Sequence, residues 1–471
     1  MEDTHQAVQG LTSLPTEVLS RILIHVDGSD ISALQQKTCQ TLHSVTMTRQ
    51  FWYNRIHRLC EKHVCPPEEE LEEYSTAELE QWTMRRIHAR STSPVKLQLR
   101  TGRDPPLLIG FYENTFLIPG GRWLLKPHSN LSIYFVDLDS SNLKLHPLLD
   151  PKKDNPSISN HKAVGYRILI DHKAPRLTFR FQGSLIDSRR SGDLPFTYAY
   201  IYQVDLIGHG ASATLVAQII ATFRCMRERD TGFTHAFNNR YFAQGRGDYL
   251  LTEPAVEIFD YRQALGCFNY PTLMDSHTLP LSEDCSTHLE FINEDVLAVY
   301  CDVTDTYHIF NIESPTSFKL LHEIKLPVLP FDFSRTYWTP EASLMTFTSP
   351  TFSTLIQRNM ERIYGLVIPH DSKLCPWTVE IGRFVGSKKG YFTFKPGIFI
   401  SLLYNSETGT NSRLVHEWDY TCESSCSEPT PISPLGQEVD QFWLPSVFDE
   451  DTGRSVSFQS HKLRVADFAS L

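Results

Sequence analysis

The sequence predicts a mainly β protein with a small N-terminal α module: three helices followed by a β-propeller of about seven blades, six or eight being compatible with the same pattern. Three observations carry this. Residues 11–58 show helical spacing of apolar side chains. From about Val95 the pattern changes to short alternating strands separated by turn clusters such as Pro119-Gly120-Gly121. Within that region one signature, an apolar strand ending in Asp or Asn, recurs at a mean spacing of 55 residues.

The helical module comes first. Leu14-Pro15-Thr16-Glu17 opens a helix: Ser13 or Thr12 offers a cap, Pro15 suits the first turn, and Glu17 favours the positive end of the dipole. Val18, Leu19, Ile22, Leu23 and Val26 then give an amphipathic face, and Asp27-Gly28-Ser29 stops it. Asp30 can cap a second helix carrying Ile31, Ala33 and Leu34, and a third stretch holds Cys39, Leu42 and Val45 before Phe51-Trp52. So small a module cannot bury all these residues, and an exposed apolar helical face is a signal for a partner.

In order and spacing, Leu14-Pro15-x-Glu17-Val18-Leu19-x-x-Ile22-Leu23, Asp30-Ile31-x-Ala33-Leu34, Cys39-x-x-Leu42 and Phe51-Trp52 resemble the F-box. Gln35-Gln36-Lys37 departs from the apolar or small residues common there. The resemblance implies binding to a Skp-type adaptor subunit and, through it, to a cullin of a cullin–RING ubiquitin ligase. It assigns Leu14, Pro15, Leu19, Ile22, Leu23, Leu34, Leu42 and Trp52 as contact or immediate support, with Trp52 the foremost candidate for the module's own core.

Residues 59–94 read as a linker. Residues 61–80 hold eight Glu, and residues 81–103 hold six Lys or Arg without an acid. A helix is expected over about 76–90, its acids early and bases late, with a solvated surface. Ser91-Thr-Ser-Pro94 marks the boundary to the β region, residues 95–471.

The recurring signature ends at Asp137, Asp205, Asp260, Asn311, Asp419 and Asp467, at gaps of 68, 55, 51, 108 and 48 residues. The long gap holds a degenerate copy, Ile363–Ile368, which makes seven units. Each unit fits one four-stranded blade, its Asp closing the third strand and capping the turn. The last unit lacks an outer strand, which Val95–Arg100 can supply, closing the ring and removing its open edges. Trp418-Asp419 resembles the dipeptide of WD repeats, although the other copies lack the Trp. The order F-box, linker, WD-like propeller resembles the substrate receptors of cullin–RING ligases. It implies a non-catalytic adaptor that holds an as yet unidentified target protein on the propeller.

Composition narrows the alternatives. A net charge of −11 argues against a nucleic-acid clamp. No apolar run approaches a membrane span, and the acidic start lacks a signal peptide, so a cytoplasmic or nuclear protein with reduced thiols is expected. Neither Gly-x-Ser-x-Gly, His-Glu-x-x-His nor a phosphate loop occurs, and no enzyme activity, cofactor or metal is expected. Cys60-x-x-His63-x-Cys65 lacks a fourth ligand, and Cys422 and Cys426 read as free thiols. Arg246-Gly247-Asp248 and Asp449–Gly453 read as turns, and Asn130-Leu-Ser132 is a glycosylation acceptor by spelling only. Arg189-Arg190 and Arg224–Arg229 are basic loops suited to an acidic or phosphorylated segment. Two rival readings stand beside the adaptor. One is an F-box scaffold that works without a cullin. The other is a propeller enzyme with a helical appendage, whose mark would be unneutralised carboxylates at the axis.

Overall fold

The computed structural model describes residues 11–26, 30–31, 40–61, 64–90, 98–103, 115–128, 131–151, 161–187, 196–226, 235–246, 255–266, 272–274, 277–280, 287–301, 304, 306–314, 317–325, 332–338, 342–351, 360–371, 373–385, 389–395, 398–405, 410–417, 430–431, 447–459 and 462–467. Leu34, Cys39, His63, Ser91–Pro94, Asn130, Arg189-Arg190, Arg227 and Arg229, Gly247-Asp248, Trp418-Asp419, Cys422 and Cys426 lie outside them. None of the described helices is long and apolar enough to cross a membrane.

Among the described residues four α-helices of at least seven residues precede the sheets: α1 (Thr16–Leu23), α2 (Gln40–Thr46), α3 (Arg49–Glu61) and α4 (Thr76–Arg90), and Asp30–Ile31 are also helical. At the start of α1 the structure differs from the expected cap. Pro15 itself occupies the cap position, with no side-chain hydrogen bond, and its carbonyl accepts from the amides of Val18 and Leu19, each at 3.0 Å. The other end of α1 is closed from α3: Arg55 and Arg58 each donate from Nη1 to the Ile24 carbonyl, at 3.0 and 3.1 Å.

Helix α4 differs from a solvated linker helix. Its Leu79, Trp82 and Met84 join one apolar core with Leu19, Leu23, Leu42, Val45, Phe51, Trp52 and Ile56. Arg86 is also buried, its guanidinium 3.6 Å from the Trp82 ring centroid. The fourth helix thus covers apolar surface that three short helices would leave to water.

The described β residues form seven sheets of four antiparallel strands, the second with a fifth strand added. Sheet 1 shows the plan: Phe116–Leu117, Trp123–Pro127, Ile133–Asp137 and Leu145–Leu149, hydrogen-bonded in chain order. The expected signature strands are the third strands: Ile133–Asp137, Phe196–Ile207, Ala255–Asp260, Thr306–Ser314, Met360–Pro369, Thr410–Glu417 and Lys462–Asp467. In sheet 7 the fourth strand is Gln98–Arg103, which runs antiparallel to Lys462–Asp467 with Gln98 opposite Asp467. The chain therefore closes its last sheet with its first strand.

Consecutive sheets bury their faces against each other. Trp123 and Phe135 of sheet 1 meet Phe179 and Phe181 of sheet 2. Phe223 of sheet 2 meets Phe242 and Phe259 of sheet 3. Ile258 of sheet 3 meets Val299 of sheet 4, and Ile309 of sheet 4 meets Leu366 of sheet 5. The first strands of sheets 5, 6 and 7 adjoin in turn, and Val456 and Val465 of sheet 7 pack with Leu124 and Val136 of sheet 1. The contacts return to their start, as in a β-propeller. Cys301 is disulfide-bonded, whereas Cys60, Cys65, Cys225 and Cys375 are free.

Candidate functional site

Helix α1 divides the residues assigned to the partner contact. Leu19 is 0% exposed and Leu23 is buried with it, whereas Leu14 and Ile22 are 37% and 38% exposed and Pro15 is exposed beside them. Leu42 and Trp52 are buried in the module's own core, and Leu34 lies outside the described residues. The residues left facing water are therefore Leu11, Leu14, Pro15, Val18 and Ile22, together with Met47 after α2. Val18 and Ile22, four residues apart on α1, share one side of the helix, and Leu11 and Leu14 are exposed in the turn that precedes it. Sequence reasoning assigned neither Leu11 nor Met47. Leu11 lies before the recognisable turn, and Met47 follows a short helix whose burial depends on how the others fold against it.

This face is held at a fixed place relative to the sheets. Residues 64–75, between α3 and α4, lie on the turns of sheets 1, 2 and 7. The Cys65 amide donates to Asp451 Oδ2 at 2.8 Å, in the turn of sheet 7. Trp123 Nε1 donates to Glu68 Oε2 at 2.9 Å, and the Leu177 amide donates to the Glu68 carbonyl at 2.6 Å. Arg122 donates to Glu69 Oε1 at 3.1 Å and pairs with Asp137 at 2.9 Å and 3.1 Å. Arg176 holds Glu73 through both oxygens at 2.7 and 2.9 Å. From α4, Arg85 donates to Asp139 and Asp467 at 3.2 and 3.1 Å. Gly121 permits the close packing of these turns: its φ is +73°, and a Cβ there would meet Thr452 Oγ1 at 2.2 Å.

The electrostatics follow from burial and pairing. Glu68 is fully buried, and desolvation pushes its carboxyl up to about 8 against the pull of Arg122. Burial opposes the charge of Arg122, but Asp137 more than offsets this and raises the guanidinium above its ordinary value. Burial likewise opposes ionisation of Asp139, yet Arg454 and Arg85 hold its carboxyl well below the carboxylate range.

The signature Asp does more than cap a turn. Asp137 Oδ1 accepts from the Asp139 amide at 2.9 Å, and Asp260 Oδ1 from the Arg262 amide at 3.3 Å, as a turn cap requires. Each of these Asp also takes an arginine from the start of its sheet's second strand, as does Asp467: Arg122 to Asp137 at 2.9 Å, Arg240 to Asp260 at 3.2 Å, Arg454 to Asp467 at 2.5 Å. Sequence reasoning missed these arginines. Their signal was present, for Arg122 and Arg454 each follow the Gly of a tight turn.

Glu69, Glu73 and His209 bring three ligand-type atoms within 4.8 Å. All are already engaged: Glu69 by Arg122, the Gly210 amide and His209, Glu73 by Arg176 Nη1, which donates to both of its oxygens. The group works as an ion-pair seam between linker and sheet 2. At the axis, Arg167 on the first strand of sheet 2 donates to the His235 carbonyl at 3.2 Å and interacts with Glu290 on the first strand of sheet 4. Burial, then Arg167, drives His288 down to about 3, so it is neutral there.

No protein-family model and no curated protein matches the chain. Among solved structures it is similar to the β-propeller domain of Cps50 (Swd1) from Myceliophteria thermophila, at 10% identity and TM-score 0.39, over 80% of this chain and 99% of that one. It is also similar to a Trypanosoma rangeli sialidase in complex with sialic acid, at 8% identity and TM-score 0.36, over 65% of this chain and 56% of that one. A putative 6-phosphogluconolactonase from Bacteroides uniformis aligns at 9% identity and TM-score 0.36, over 68% and 86% of the two chains. The propeller assignment rests on this chain's own strand order and sheet contacts.

Proposed function

We propose that the chain is a non-catalytic adaptor of a Skp–cullin–F-box ubiquitin ligase, its seven sheets being seven blades of one propeller. The N-terminal module binds a Skp-type subunit and, through it, a cullin. The propeller holds the target protein. One observation carries this reading: α1 spends Leu19 and Leu23 on the core and leaves Val18 and Ile22 exposed, with Leu14 exposed in the turn before it. A helix that closes its own core and still presents an apolar row has a surface suited to a partner. The pinned linker supports the same reading, because an adaptor that works by proximity gains effective concentration when its two ends keep a fixed spacing. The test is affinity purification from cells with the bound proteins identified by mass spectrometry. Wild type is expected to bring down Skp and cullin subunits together. The double variant Leu14→Ala, Pro15→Ala is expected to lose both while the β region stays folded by circular dichroism. Retention of the Skp subunit by that variant overturns the assignment of this face. Skp without cullin in the wild-type eluate points instead to a cullin-independent scaffold.

A further inference from the structure

Glu68 sits where the linker meets the propeller. Its side chain is buried between Trp123 and Gly120, and a Cβ on Gly120 would lie 2.9 Å from Glu68 Oε1. Only one carboxyl oxygen is used: Oε2 accepts from Trp123 Nε1, and Oε1 has no hydrogen-bond partner among the described residues. No ion pair reaches this carboxyl among them either. An ionised carboxylate so placed has lost its water without a cation in contact with it, and the neutral acid loses less. We propose that the seat of the linker on the propeller is a pH-sensitive clasp whose titrating group is Glu68.

The charged and titratable groups around it come from five elements. The linker and α4 supply Tyr74, Glu69 and Arg86. Sheet 1 supplies Arg122 and, from the turn after its third strand, Asp139. Sheet 7 supplies Asp449, which accepts from the Gly120 amide at 3.2 Å, and Asp451, which holds Cys65. Sheet 2 supplies His209, against Glu69. Arg122 and Arg86 pull on Glu68 only through space, since Arg122 is engaged by Asp137 and Glu69 and Arg86 lies on Trp82.

The direction follows from linkage. The seated carboxyl keeps its proton up to about 8, while in the opened linker it has the ordinary carboxylate value near 4.5. The closed form therefore binds more protons between those limits. Closure is fully favoured below the lower limit, weakens progressively between the two and levels off above the upper one. The clasp loosens across neutrality and levels off on the alkaline side.

Hydrogen exchange of the full chain, read by mass spectrometry from pH 5 to 9 and corrected for intrinsic rates, tests this. Protection of residues 64–74 is expected to fall with pH by up to about tenfold per unit and to level above about 8. In Glu68→Gln, which keeps an acceptor for Trp123 and carries no charge, the part of that slope due to Glu68 is expected to vanish. The difference between the two proteins removes the contribution of His209 and the other groups. Glu68→Met, neutral without the acceptor, is read in the same way should the Gln variant fold poorly. An equal slope in wild type and the neutral variant overturns the proposal, as does a flat wild-type profile. The measurement uses the chain alone, so its outcome is independent of whether the module binds a Skp subunit.

Discussion

Leu19 and Ile22 are three residues apart on one helix and have opposite tasks. Leu19 → Ala empties a site with no exposure, which is expected to cost about 2–5 kcal/mol of stability by chemical denaturation. Ile22 → Ala trims a side chain already in water, and stability is expected to stay within about 0.5 kcal/mol. The binding readout is expected to invert: Ile22 → Ala weakens capture of the Skp subunit, whereas Leu19 → Ala affects it only through folding. Equal loss of stability in both variants would place Ile22 in the core. Both positions were legible as apolar. Which one faced water was not, because it depends on where α3 and α4 pack, and α4 is remote in sequence.

At the scale of elements, the linker decides how module and propeller are joined. Its helix over Thr76–Arg90 could be read from the order of acids and bases, but its burial could not. Trp82 and Leu79 look like isolated apolar residues in a charged segment, and Glu68 and Glu69 like solvated acids. Tertiary contacts reverse that reading, since Arg122, Trp123 and the turn of sheet 7 receive this stretch. Arg122 ties three elements: Glu69 on the linker, Asp137 on sheet 1 and the Gly210 carbonyl on sheet 2, at 2.6 Å for the last. With Arg122→Ala, Glu69 is left buried with its arginine gone, a change expected to cost about 3–5 kcal/mol. Increased hydrogen exchange over residues 64–75, ahead of any change in the third strands, is the expected result. Uniform destabilisation of the whole chain would show that the pair supports the sheets and not the joint.

For the molecule as a whole, closure of the ring depends on Gln98–Arg103, the strand between the helical module and sheet 1. Thr101 faces Arg464 and Gly102 faces Leu463 across the ladder. Antiparallel residues alternate in donating to their neighbour, so proline at both positions must remove at least one ladder hydrogen bond. The Thr101→Pro, Gly102→Pro variant is expected to lower the midpoint of thermal unfolding by several degrees and to expose Lys462–Asp467 to exchange. An unchanged midpoint would mean that sheet packing alone holds sheet 7 in place. Closure also explains Asp467: Arg454, Arg85 and Arg100 converge on it at 2.5, 3.1 and 2.9 Å, from sheet 7, α4 and the closing strand.

The sequence by itself determined the class of this protein: helices and then a ring of repeated four-stranded units, with the third strand of each marked and the last completed from the N-terminal side. Those features are local or periodic, and side-chain spacing encodes them directly. Only the tertiary structure decided which apolar residues of α1 remain exposed, that the linker is built into the molecule, and that Asp137, Asp260 and Asp467 each bind an arginine from the start of the strand beside them. Each of these depends on groups far apart in the chain, such as Cys65 with Asp451 and Arg85 with Asp467, whose pairing no local pattern records. Burial is a property of what packs around a residue, and for that reason Glu68 reads as one more acid in the sequence and becomes a candidate switch only in the fold.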